Sequence, residues 1–88
     1  MEDNDILQEV KRIIGEAMHG DVAQEDITLE SQIGYSLGAE FFDAENIIAG
    51  VERKFLICID VKKLNGIGWD NWESITVKSL VDAIKEGG

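Results

Sequence analysis

Cysteine and histidine occur once each in these 88 residues, as Cys58 and His19. A single thiol excludes an intramolecular disulfide, which suits a reducing compartment. A metal site or a Cys/His nucleophilic pair would need further partners near Cys58, and the sequence displays none. Cys58 sits in the apolar run Leu56-Ile57-Cys58-Ile59, where a cysteine reads as a small buried hydrophobe. Basic residues are also scarce, with eight Lys and Arg against 18 Asp and Glu for a net charge of -10. Phosphate binding needs clustered Lys and Arg, so nucleic acid and anionic membrane are not expected partners. No apolar run approaches the length of a membrane span, which argues against insertion. The first residues are acidic (Glu2, Asp3, Asp5) and lack the basic-then-apolar order of a secretion signal, so a cytoplasmic protein is expected.

What remains is a hydrophobic share of 44%, ordinary for a globular domain. Residues 1–88 read as one domain with a modest core. The negative charge has two readings: it keeps the protein soluble, or it steers the protein toward basic protein surfaces. Enzymatic activity is not expected. The carboxylates stand at spacings typical of solvated faces and helix starts, with no paired base, nucleophile or metal set.

Helical periodicity dominates the chain. Ile6, Val10, Ile13, Ile14 and Ala17 form one stripe, capped by Asp5 with Gln8 or by Asn4 and ended at His19-Gly20. Gly15, inside that helix, reads as a point of close helix packing. Residues 20–36 have no sustained period and form a long loop, pinned over the core by Val22, Ile27, Leu29 and Ile33. A central helix follows, its buried stripe Ala44, Ile48, Val51 and Phe55, with Glu40, Asp43 and Glu45 in its opening turns where the helix dipole favours acids. Val61 to Leu64 allow only about one helical turn. Asn65-Gly66-Ile67-Gly68 reads as a turn or hinge. Trp69 and Trp72, three apart, share one side if helical. These indoles either form an aromatic lid or docking knob or pack on the core, and core packing is favoured. Thr76 caps a last helix with Val77, Leu80, Val81 and Ile84 inward.

The lead-in Leu37-Gly38-Ala39-Glu40 to an acidic amphipathic helix resembles the acyl carrier protein family. Val10-Lys11-Arg12-Ile13-Ile14-Gly15-Glu16, Asp26-Ile27-Thr28 and the run from Ile75 to Ile84 are similar to that family's first helix, first loop and last helix. The resemblance covers nearly the whole chain, with apparent insertions in the first loop and around residues 65–72. It implies an all-α, four-helix bundle with a long first loop and a short or irregular third helix. The family's isoleucine-proline before the third helix is Ile59-Asp60 here, and the chain has no proline.

In that family a serine at the head of the central helix carries phosphopantetheine, and gapless alignment places Phe41 there. Phenylalanine has no hydroxyl to attack a phosphate. No prosthetic group is therefore expected, unless Ser36, five residues upstream, is modified instead. The resemblance also implies a monomer that docks on basic surfaces of enzymes of fatty-acid, lipid or polyketide-type biosynthesis. Glu40, Phe42, Asp43 and Glu52 would carry that contact, whereas Asn46, Arg53 and Lys54 depart from the family's acidic pattern. A regulatory or structural subunit of a synthase is an alternative, as is a solvated acidic helix with no specific partner. Phe41 either extends the core or fills the space where an acyl chain would enter; exposed beside Phe42, it would make an apolar contact patch. The terminal Gly87-Gly88 also permits comparison with sulfur carriers and ubiquitin-like proteins. Their strand-rich fold disagrees with the helical periods here.

Overall fold

The computed structural model describes residues 3–87. Gly88 and the acidic Glu2 lie outside the described residues. Four α-helices run in the order α1 (Asp3–Ala17), α2 (Phe41–Phe55), α3 (Val61–Asn65) and α4 (Val77–Lys85), with 3-10 segments at Gln24–Asp26 and Trp69–Ser74. No strand occurs among the described residues, so the chain is all-α there, with one isolated backbone bridge between Gln32 and Thr76.

Helix α1 already includes Asn4 and Asp5, so neither is the cap expected of it. Asp5 lies near the N-terminal end of the helix, where an acid complements the dipole. Ile6, Val10, Ile13 and Ile14 are buried as the period predicts; Met18 completes the stripe, while Ala17 is half-buried. At the far end His19 and Gly20 both take left-handed backbone (φ 55° and 79°), and the Gly20 N–H donates to the Gly15 carbonyl at 3.0 Å. That six-residue closure is a Schellman stop.

Close helix packing belongs to Gly50, not to Gly15. A Cβ built at Gly50 would stand 2.8 Å from Ile13 Cγ2, where α1 and α2 meet, whereas one at Gly15 would make only ordinary contact with the Gln24 side chain at 3.7 Å. The stripe of α2 is Ala44, Ile47, Ile48 and Val51, with Phe55 half-buried against the core. Helix α4 buries Val77, Leu80, Val81 and Ala83, and the Thr76 side chain caps it by accepting the Ser79 N–H at 3.1 Å.

The core cluster draws on all four helices, on Ile27 and Ile33 of the long loop and on Ala39 just before α2. Fully burying side chains such as Ile14, Ile33, Ile47 and Leu80 stabilises the fold by about 1.5–3 kcal/mol each. The loop is also fastened through its backbone. Ile33 N–H donates to Ile75 O at 2.9 Å, and Gly34 and Tyr35 N–H both donate to Glu73 O at 3.2 and 3.3 Å. In return, Val77 and Lys78 N–H donate to Ser31 O and Leu29 O, both at 2.9 Å. Gly34 lies so close to this partner that a Cβ would stand 2.5 Å from Glu73 Cβ and 2.6 Å from its Cα.

Two alanine substitutions should therefore have opposite signs. Gly34→Ala should lower unfolding stability by about 1–3 kcal/mol, because the obstructing atoms include backbone. Gly15→Ala, in helical backbone with only ordinary contacts around the added methyl, should raise it by about 0.5–1 kcal/mol. Urea midpoints of the two variants and the parent measure both shifts.

Candidate functional site

The turn chain before α2 fixes where that helix begins. Ser36 and Leu37 N–H both donate to Gln32 O, Gly38 N–H to Gly34 O, and Ala39 N–H to Ile33 O at 3.0 Å. Gly38 is in the left-handed region (φ 77°), which explains the glycine. Glu40 is the N-cap residue, and its N–H donates to Asp43 Oδ2 at 3.1 Å, a capping-box contact. Phe41 is thereby the first residue of α2.

Opposite it stands the Trp69–Ser74 segment, bent at Asn71 (φ -134°, ψ 43°). The preceding stretch, expected as a turn or hinge, is clamped by one side chain. Asn65 Oδ1 accepts from Ile67 N–H at 2.9 Å and Gly68 N–H at 2.7 Å, while its Nδ2 donates to Gly68 O at 3.1 Å and Asn71 O at 2.9 Å. The sequence signal was available, because asparagine is a turn former that bonds backbone a few residues on.

These two supports bring three rings together. Phe41 meets Trp69 edge-on (centroids 5.3 Å, 68°) and Trp72 likewise (6.0 Å, 68°). Phe41 is 46% exposed, so it does not extend the core. It closes one end of the bundle instead. The expectation that both indoles pack on the core holds only for Trp72; Trp69 stays 40% exposed against Phe41. The segment's bend separates the fates of the two rings. Tyr35 joins this end by donating its hydroxyl to Asn71 Oδ1 at 3.3 Å. Phe42 and Ile67 add further exposed apolar surface on the same segments. A groove of roughly 450 Å³, lined among others by Ile48, Glu52, Ile67 and Trp69, runs between α2 and the segment that follows it.

The outer face of α2 carries Phe42, Glu45 and Ala49, all exposed; Asn46 and Arg53 are exposed too, on the side toward α1. Glu40 is exposed as well and Asp43 is half-buried. Glu52 is partly committed elsewhere, accepting the Ile59 N–H at 2.8 Å. That bond ties the linker after α2 back to the helix. In this linker Ile57 and Ile59 turn partly inward, while Leu56 and Cys58 face solvent. Cys58 is therefore not the buried hydrophobe expected of it, because the extended linker alternates its side chains and the inward places fall to the isoleucines. Ser36 is exposed in the loop, its Oγ accepting the Gln32 N–H at 3.0 Å. It sits within a turn, not at a helix start.

No family model matches this chain, and no curated protein matches its sequence. Its chemistry has to be read from its own side chains. Among the described residues no group of three or more His, Cys, Asp or Glu could hold a metal ion. No helix there is long and apolar enough to cross a membrane.

The ring cluster depends on Phe41 and on the Asn65 clamp. Phe41→Ala should weaken the near-ultraviolet circular dichroism of the indoles and lower stability by about 1–3 kcal/mol, the sum of two edge contacts worth about 0.5–1.5 kcal/mol each. Asn65→Ala should produce a similar spectral loss and cost about 1–3 kcal/mol, since it strips partners from part-buried backbone groups. Thermal melts with parallel spectra check both.

Proposed function

We propose that this chain is an acyl-carrier-protein-like docking module that works without a prosthetic group. The observation that carries the reading is the placement of Phe41. It is the first residue of α2, where the family resemblance puts the attachment serine, and Trp69 and Trp72 hold its ring edge-on. A ring in that place offers no nucleophile, and its contacts with two indoles keep it at the head of the helix. Four helices, a long first loop and a one-turn third helix agree with an acyl-carrier-like bundle.

The working surface is the opening half of α2 with the aromatic end beside it. Glu40, Asp43 and Glu45 supply negative charge, and Phe42, Phe41 and Trp69 supply exposed apolar area. Such a surface fits a basic patch with an apolar centre on an enzyme of fatty-acid, lipid or polyketide-type biosynthesis: charge steers the encounter and buried aromatics anchor it. Glu52 contributes less than its alignment implies, because its carboxylate already holds the Ile59 amide. The protein acts as a monomer in this role, as a regulatory or structural element of a synthase rather than a bearer of cargo.

Modification at Ser36 is the rival reading, supported by the exposure of that side chain. Against it stands the loop position, with Gly38 and Glu40 between the hydroxyl and the helix. Intact mass after incubation with coenzyme A and a broad-specificity phosphopantetheinyl transferase separates the two. The docking reading predicts an unchanged mass for the natural chain and for Ser36→Ala, and a gain of one phosphopantetheine for Phe41→Ser. A gain by the natural chain that Ser36→Ala abolishes would overturn it.

A further inference from the structure

Away from the aromatic end, a second groove of roughly 500 Å³ lies between α1 and α2. Its walls carry Arg12, Arg53 and Lys54, together with the chain's one histidine, His19. Three of only eight Lys and Arg residues thus share one cleft in a protein of net charge -10. Glu16 lines the cleft as well, paired with Arg12 at 2.7 Å.

Local sequence builds the cleft. Asn46, Gly50, Arg53 and Lys54 are spaced four, three and one apart, which sets them along one side of α2 facing α1. Gly50 has no side chain, so the helices close up around Ile13 while the space above them stays open. Ile13 and Ala17 give the cleft an apolar lining.

The cations are not equally engaged. Arg12 donates from Nε and Nη2 to Glu9 Oε1 at 3.0 and 2.7 Å, and from Nη1 to Glu16 Oε1 at 2.7 Å. A guanidinium has five N–H groups, so two stay available while the plane is held fixed. Through the same hydrogen bond Arg12 holds the Glu9 carboxyl below the usual carboxylate range. Lys54 Nζ is 4.0 Å from Glu9 Oε1, too far for a hydrogen bond. Arg53 has no hydrogen-bond or ion-pair partner among the described residues. Glu9 and Glu16 offset two of the three positive charges, which leaves a local excess suited to one anionic group and far too small for a polyanion.

We propose that this groove is a second binding site, independent of the docking surface, for a small molecule with an oxyanion head on a compact apolar body. Arg53 and Lys54 hold the head, the Asn46 amide and the spare Arg12 N–H groups complete its hydrogen bonds, and Ile13 and Ala17 line the body. Phosphate monoesters and carboxylates share this chemistry. A groove of roughly 500 Å³ has room for a ligand of one aromatic ring with its head group.

The test is an NMR titration of the isotope-labelled full chain with phenyl phosphate, with benzoate, and with phenol as the uncharged control. Saturable shifts concentrated at residues 12–19 and 46–54 are expected with at least one of the anions and with neither region moved by phenol. The arm that saturates at lower concentration names the head group. An Arg53→Gln/Lys54→Gln variant should bind at least about tenfold more weakly, as loss of charge-assisted hydrogen bonds requires. A Lys62→Gln/Lys63→Gln variant, altered outside the groove, should bind as the parent does. Both pairs are exposed, so helical circular dichroism should not change. Absence of saturation with both anions, shifts spread evenly over all basic residues, or unaltered binding by the Arg53/Lys54 variant would each overturn the proposal.

Discussion

The fold depends on a backbone latch between two segments far apart in the chain. Residues 29–35 of the long loop exchange hydrogen bonds with residues 73–78, and Gly34 permits the close approach at Glu73. Helices alone do not provide this. A loop of this length carries many polar backbone groups, and the latch pairs them in a place where the side chains of Ile27 and Ile33 also enter the core. The latch sets the starting point of α2 from one side and the path of Trp69–Ser74 into α4 from the other. Both halves of the aromatic end are therefore positioned by the same set of contacts.

That arrangement bears on function through Phe41. A first residue of a helix is ordinarily solvent-facing and free to serve as an attachment or contact point. Here the ring is held against two indoles while nearly half of it remains open to water. The side chain is thus fixed before any partner arrives, and fixed aromatic surface binds with little loss of conformational entropy. In the proposed docking role, the acidic residues beside it would add direction to the encounter. The basic groove between α1 and α2 has the opposite character, and two of its three cations, Arg53 and Lys54, come from the closing turn of the same helix. One helix so presents two chemistries at its two ends.

Much of the helical frame was legible in the sequence because burial repeats at helical spacing. Ile6, Val10, Ile13 and Ile14, or Val77, Leu80 and Val81, are read directly from that period. The latch was not legible: hydrogen bonds between backbone groups of distant segments leave no mark on residue type. Only Gly34 hints at it, and a glycine does not name the partner it lets approach. The same limit explains why close packing falls to Gly50 and not to Gly15, since both lie in helical patterns and only the crossing point distinguishes them. Cys58 was misplaced because an apolar run of four does not tell which alternate side faces inward. Of the site, the acidic start of α2 and the pairing of the tryptophans were visible, but the bend at Asn71 that frees Trp69 and seats Trp72 was not. Asn65 could have been found, since its side chain has the donor and acceptor that a clamped turn needs.

Native-state amide hydrogen exchange of the latch tests the account most directly. If residues 29–35 and 73–78 position both halves of the aromatic end, the amides of Ile33, Val77 and Lys78 should exchange only with opening free energies close to that of global unfolding. They should match the amides in the middle of α1 and α2. Exchange of these latch amides at the rate of freely opening loop amides, with α1 and α2 still protected, would contradict it. The loop would then be a passive connection, and the exposed ring at Phe41 would have no fixed frame from which to meet a partner.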